Sequence, residues 1–89
     1  MKYKINKKYI FQKVDSQLVV FDTDKSFLYT FNETAEFILK KIKLGFEEKK
    51  IVETLEKKYD VPLSVLKNDV KKTIKEMLKN KIIYSILSK

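Results

Sequence analysis

The chain has 89 residues, and its 20 basic side chains exceed its 12 acidic ones for a formal net charge of +8. Every basic residue is lysine; arginine, histidine, cysteine and tryptophan are absent, and glycine and proline occur once each. These absences exclude a disulfide framework, a thiolate nucleophile, the commonest metal ligands, the usual neutral-pH general base and a glycine-rich phosphate loop. No cofactor is expected, and the composition points to recognition rather than self-contained catalysis.

Apolar residues make up 44% of the chain, enough for a core. The length fits one domain spanning residues 1–89. No run approaches the roughly 18 consecutive apolar residues of a membrane span, and the basic start, Met1 to Lys8, is not followed by a long apolar stretch as in a signal peptide. The expected location is the cytoplasm.

The pattern has period two before Asn32 and the helical period after it. Tyr9–Val14 reads as a first strand, followed by a turn at Asp15-Ser16-Gln17. Leu18–Asp22 reads as a second strand and Phe27–Phe31 as a third, joined by the polar hairpin loop Thr23-Asp24-Lys25-Ser26. The third strand sets Phe27, Tyr29 and Phe31 on one face and Leu28 and Thr30 on the other. Alternate aromatics of this kind are most often core, although they also suit base stacking. Asp22 and Asp24 are read as residues that solubilise the hairpin, not as a metal or catalytic pair.

Asn32 is a good N-cap for a first helix over 33–44, with an apolar stripe at Ala35, Ile38, Leu39 and Ile42, and Gly45 suits its end. A second helix is expected over 47–59, with Ile51, Val52, Leu55 and Tyr59 on its stripe. Glu47 is a poor cap for it. Pro62 is expected near the first position of a third helix over 63–80. Leu63, Leu66, Val70, Ile74, Met77 and Leu78 fall within about 120° of its circumference. The apolar end, Ile82 to Leu87, suits a short strand or an extended tail. The fold class is α+β: a three-stranded antiparallel sheet followed by three helices, resembling a winged helix-turn-helix.

Residues 1–31 hold six lysines against three aspartates, and residues 62–89 hold seven lysines against Asp69 and Glu76. On the third helix Lys67, Lys71 and Lys75 form a ridge at i, i+4 and i+8. Such a row is either a solvated face or the border of a groove that attracts an acidic partner.

The run from Asp15 to Leu87 resembles the family of the PQQ-biosynthesis D protein, the PqqD-like peptide chaperones also called RiPP precursor peptide recognition elements. Leu18–Asp22 and a hairpin are followed by Phe27–Leu39, close to the family's y-x-L-N-x-T-A-x-x-I-L pattern. Ile51–Leu55 with Tyr59 matches its second helix, and Asp69-Val70, Ile74, Met77 and Ile82-Ile83 match its end. Phe31 replaces the common leucine. Thr73 stands where an apolar or aromatic residue is frequent, and Lys81 where a glycine is often found. The resemblance implies a non-catalytic chaperone that binds the leader of a ribosomally made precursor peptide. The leader would add as a strand beside the third strand, against the third helix, and be presented to a modifying enzyme such as a radical SAM enzyme or a leader protease. It implies that Phe27, Leu28, Tyr29 and Thr30 supply the backbone ladder. Leu66, Val70 and Ile74 would floor the groove and Lys67 and Lys71 meet acidic leader side chains. Asp69 and Thr73 would make contact if the other flank of the helix lines the groove.

Two other readings compete. A winged-helix DNA-binding protein fits the lysine-rich third helix. The lack of arginine weighs against base-specific readout and so against nucleic acid. A subunit that only stabilises an enzyme partner is the third. The open third strand and the apolar tail also offer surfaces for a second copy.

Overall fold

The computed structural model describes residues 2–24 and 26–86. Its elements in chain order are β1 (Lys2–Ile5), β2 (Tyr9–Val14), β3 (Gln17–Asp22), β4 (Phe27–Phe31), α1 (Glu33–Lys43), α2 (Glu48–Lys58), α3 (Leu63–Lys79) and β5 (Ile83–Ile86). Strands β2, β3 and β4 form the expected antiparallel meander, with Tyr9 opposite Asp22 and Leu18 opposite Phe31. The three helices follow it, so the α+β, winged-helix-like class is the one that forms.

The described strands number five rather than three. β1 pairs antiparallel with β5, Lys2 opposite Ile86 and Ile5 opposite Ile83, in a separate two-stranded sheet. β1 does alternate in burial, but it is short and lysine-rich and its partner lies at the far end of the chain, so no turn signals it. The apolar end is thus a strand and not a loose tail. Leu87, its last residue, and Lys25 of the hairpin loop lie outside the described residues. Gln17 belongs to β3 rather than to the preceding turn, and Pro62 is the N-cap of α3 rather than its first residue.

Local chemistry accounts for the helix ends. The Asn32 side chain accepts a hydrogen bond from the Ala35 N–H at 2.8 Å, satisfying one of the free donors of the first turn of α1. Gly45, at φ 91°, closes the same helix: its N–H bonds the Ile42 carbonyl, and the Phe46 N–H bonds Lys41. α2 has no side-chain cap at Glu47. The apolar stripes of α1, α2 and α3 meet Tyr9, Leu18 and Val20 of the sheet in one core, which Ile82 and Ile83 complete.

α3 ends as α1 does, with the Lys81 N–H on the Leu78 carbonyl and the Ile82 N–H on Met77. Here the left-handed position, φ 60°, is held by Lys81, the residue that stands where a glycine is frequent. Lys81 thus takes up the left-handed exit that Gly45 provides at the end of α1. Three successive carbonyls just past α3 are then taken by the β1–β2 corner. Asn80 accepts from the Tyr9 hydroxyl at 2.6 Å, Lys81 from the Asn6 side-chain amide at 2.9 Å, and Ile82 from the Asn6 N–H at 2.8 Å. This clasp fixes the end of α3 against the first strands.

A lysine at φ 60° pays a steric penalty that glycine avoids. Lys81→Gly is therefore expected to stabilise the fold by about 1 kcal/mol, less what glycine loses through its freer unfolded state, read as a higher urea midpoint. A second expectation concerns Glu36, a buried carboxylate of α1 that bonds Lys13 of β2 and lies 3.2 Å from Lys40. The hydrogen bond from Lys13, with that from Lys40, holds its carboxyl below the usual carboxylate range. A lowered folded pKa gives stability that is present above the unfolded pKa and lost as pH falls through the folded one. Glu36→Gln should lower the melting temperature at neutral pH, and the gap from wild type should close as the solution is acidified.

Candidate functional site

β4 is an outer strand of the meander, and no strand pairs with its free side among the described residues. An outer strand carries unpaired N–H and C=O groups along its open side, a template for another chain. Beside that edge runs a cleft of about 440 Å³ between β4 and the C-terminal half of α3. β4 contributes Leu28, Tyr29, Thr30 and Phe31, and α3 contributes Thr73, Glu76 and Met77. Asn32, Ala35, Asn80 and Ile82 close its sides. Leu28, at its rim, and Phe27, next to it on β4, leave more than half of their surface exposed at 65% and 57%.

The structure brings together some of the expected residues and separates others. Leu28, Tyr29, Thr30 and Thr73 share the cleft. Phe27 adjoins it at the hairpin end of β4, exposed instead of buried in the core. Tyr29 and Phe31 are half-buried on the same face. Asp69 lies one helical turn before Thr73, exposed on the same flank. Leu66, Val70 and Ile74 are buried in the core and do not form an open floor. Tyr29, Phe31, Ala35, Met77 and Ile82 supply the apolar lining instead.

Lys67 and Lys71 lie about 120° and 160° around α3 from Thr73. They line a depression shared with Glu48, Glu53 and Glu56 of α2, on the other side of the helix. The lysine ridge therefore faces carboxylates of its own chain. Among the described residues Glu76 is the one charged side chain lining the β4 cleft. Glu76, Met77, Asn80, Ala35 and Ile82 were not among the expected site residues. Glu76 and Met77 follow Thr73 at i+3 and i+4, the spacing that marks them once the flank is known.

Behind the cleft stands Tyr9. Its ring lies 6.5 Å from that of Tyr29 at 56°, a tilted pair, and its hydroxyl holds Asn80 at the cleft wall. Asp22, opposite Tyr9 across the sheet, is 1% exposed, and its carboxylate accepts the Asp24 N–H at 2.9 Å. Asp22 is thus part of the inner wall, whereas Asp24 is exposed and pairs with Lys8 at 3.4 Å. Only Asp24 has the solubilising place expected for both. Burial, followed by the charge and hydrogen bond of Asp22, pushes the Tyr9 phenol up to about 12, so it remains a donor across the ordinary pH range.

The sequence matches the family model described as coenzyme PQQ synthesis protein D (PqqD) over residues 17–83. No curated protein matches it in sequence. Two solved structures share its fold. "TbiB1 in Complex with the TbiA(beta) Leader Peptide" aligns with a TM-score of 0.83 at 14% identity, covering 99% of this chain and 100% of that chain. "Lasso peptide synthetase B1 complexed with the leader peptide" aligns at 0.88 and 15% identity, covering 96% and 100%.

Removing the Tyr9 hydroxyl tests the wall. Tyr9→Phe leaves the Asn80 carbonyl without this donor, and should cost about 1–3 kcal/mol in denaturant titrations at neutral pH. Because the folded phenol titrates higher than the unfolded one, the wild type loses this advantage as pH climbs from 10.0 towards about 12, and the two proteins should converge there.

Proposed function

The chain belongs to the family of coenzyme PQQ synthesis protein D, and we propose that it is a non-catalytic adaptor that binds the leader segment of a ribosomally made precursor peptide. The leader lies along β4 as an added strand and seats apolar side chains between β4 and α3. The observation that carries the reading is the edge of β4, unpaired among the described residues, beside a cleft of mixed polar and apolar lining, in a chain of this family. The fold shared with two proteins described in complex with leader peptides supports it.

The physics of such binding has two parts. Main-chain hydrogen bonds along β4 give affinity that depends little on leader sequence, and side-chain seats in the cleft give selectivity. With Glu76 as its charged lining residue, the cleft favours a leader with apolar anchors and a basic or neutral group opposite that carboxylate. Lys67 and Lys71 have no part in the contact. Holding the leader raises the local concentration of the rest of the precursor at a separate modifying enzyme, such as a radical SAM enzyme or a leader protease. The work takes place in the cytoplasm, where precursors are synthesised.

Calorimetric titration with the synthetic leader of a precursor encoded beside this chain is the test. Wild type should bind. Ala35→Phe, which fills the cleft, should weaken binding by about tenfold or more while keeping the unfolding midpoint. The double variant Lys67→Glu/Lys71→Glu should bind as wild type does. Equal affinity in Ala35→Phe would move the site elsewhere. No leader binding by folded protein, together with sequence-specific retention of duplex DNA at physiological salt, would replace this reading with the DNA-binding one.

A further inference from the structure

The outer strand on the other side of the meander, β2, also runs beside a cleft. It encloses about 450 Å³ between β1, the start of β2 and α1. Its lining is apolar, with Tyr3, Ile5, Phe11, Leu18, Leu39 and Ile42. Lys4, Lys7, Lys40 and Lys43 surround it, all exposed and drawn from three parts of the chain. Lys40 is paired with Glu36, but Lys4, Lys7 and Lys43 form no ion pair among the described residues. Among the described residues no carboxylate lines this cleft. The two clefts thus have opposite chemistry: a carboxylate beside the apolar lining at β4, lysines around it at β2.

We infer that the β2 cleft docks an acidic, extended segment of the modifying enzyme, with an apolar side chain seated among Tyr3, Phe11 and Leu39. The inference rests on the adaptor reading, because an adaptor whose β4 edge holds a leader has to meet its enzyme on another face. Charge selects the occupant: uncompensated ammonium groups around an apolar seat attract carboxylates and exclude a basic segment. The edge of β2, which no strand pairs among the described residues, selects a peptide over a fatty acid, since only another backbone both donates to its C=O groups and accepts from its N–H groups along the strand. A lysine rim and a separate β-edge also keep the enzyme's segment out of the Glu76 cleft, so both partners bind at once.

Amide-resolved NMR titration of the whole chain decides the matter. The probes are a short synthetic peptide alternating Glu or Asp with Phe, Leu and Ile, the same peptide with lysine for each acid, and dodecanoate. The acidic peptide should shift the amides of Lys4, Phe11, Leu39 and Lys43 and leave Leu28–Asn32 unmoved. The lysine peptide should leave the β2 set unmoved, and any shift it causes should fall on Leu28–Asn32 beside Glu76. Lys4→Glu/Lys43→Glu should weaken the acidic peptide by about tenfold, with the rest of the spectrum retained; if that variant does not fold, Lys43→Gln alone should weaken it less but measurably. Shifts confined to β4 and α3, equal response to both peptides, or a response to dodecanoate without one to the acidic peptide would overturn the inference. A leader titrated into the same sample reports on β4 independently. Leader shifts at β4 without acidic-peptide shifts at β2 would sink this inference and leave the adaptor reading in place, and the converse would leave the acidic site without its adaptor.

Discussion

Three consecutive carbonyls past the end of α3 hold the molecule together. The chain leaves α3 through a left-handed residue, and in that exit the carbonyls of Asn80, Lys81 and Ile82 have no helical partner. The β1–β2 corner supplies all three donors, from the Tyr9 hydroxyl and from both nitrogens of Asn6. Without that corner the end of α3 would be anchored only by apolar contact, which is non-directional and sets no register. With it, the last turn of α3 stands at a fixed distance from the sheet. β5 then leaves in the direction that pairs it with β1, so the two ends of the chain close on each other. The clasp is also the partition between the clefts. Tyr9 and Asn6 line the β2 side, and Asn80 and Ile82 line the β4 side.

That partition changes what the net charge means. A formal +8 suggests a single cationic surface, yet the cleft beside β4 is lined by a carboxylate and by no lysine among the described residues. The ridge of Lys67 and Lys71 is turned to the acidic residues of α2, while the β2 cleft has the lysines. Charge here separates surfaces by sign rather than covering one of them. For a small chain without arginine this is an economical route to selectivity. Lysine is a point charge with little geometric demand, suited to attracting carboxylates in general but not to bidentate recognition.

The meander, the three helices and the caps at Asn32 and Gly45 were legible because each depends on local periodicity or on a residue whose chemistry fits one position. β1 was not, because its partner lies some 80 positions away and its lysines resemble a solvated terminus. The orientation of α3 was not legible for a different reason. Its apolar stripe is bordered by lysines on one flank and by Asp69, Thr73 and Glu76 on the other, and periodicity alone does not say which flank meets β4. The clasp decides it, through contacts between residues 6–9 and 80–82. Asp22 was misread on composition: an aspartate at a hairpin is usually solvated, but cross-strand pairing with Tyr9 turns this one inward.

A three-stranded sheet has two open edges, and in most small proteins such edges are protected against other chains. Here β4 leaves Phe27 and Leu28 exposed, and β2 leaves Ile10 and Val14 exposed at 55% and 47%. Neither strand carries a proline, and β4 has no charged residue at all. Self-association through β4 would have to bring two Glu76 carboxylates towards each other, and association through β2 would crowd two sets of lysines. Pairing of β4 with β2 of a second copy has no such repulsion, but it occupies one edge on each chain and so competes with both ligands. The edges are thus kept open for unlike partners by the charge beside them. The same electrostatics that limits homotypic pairing at each edge gives each edge its own preference in a heterotypic strand.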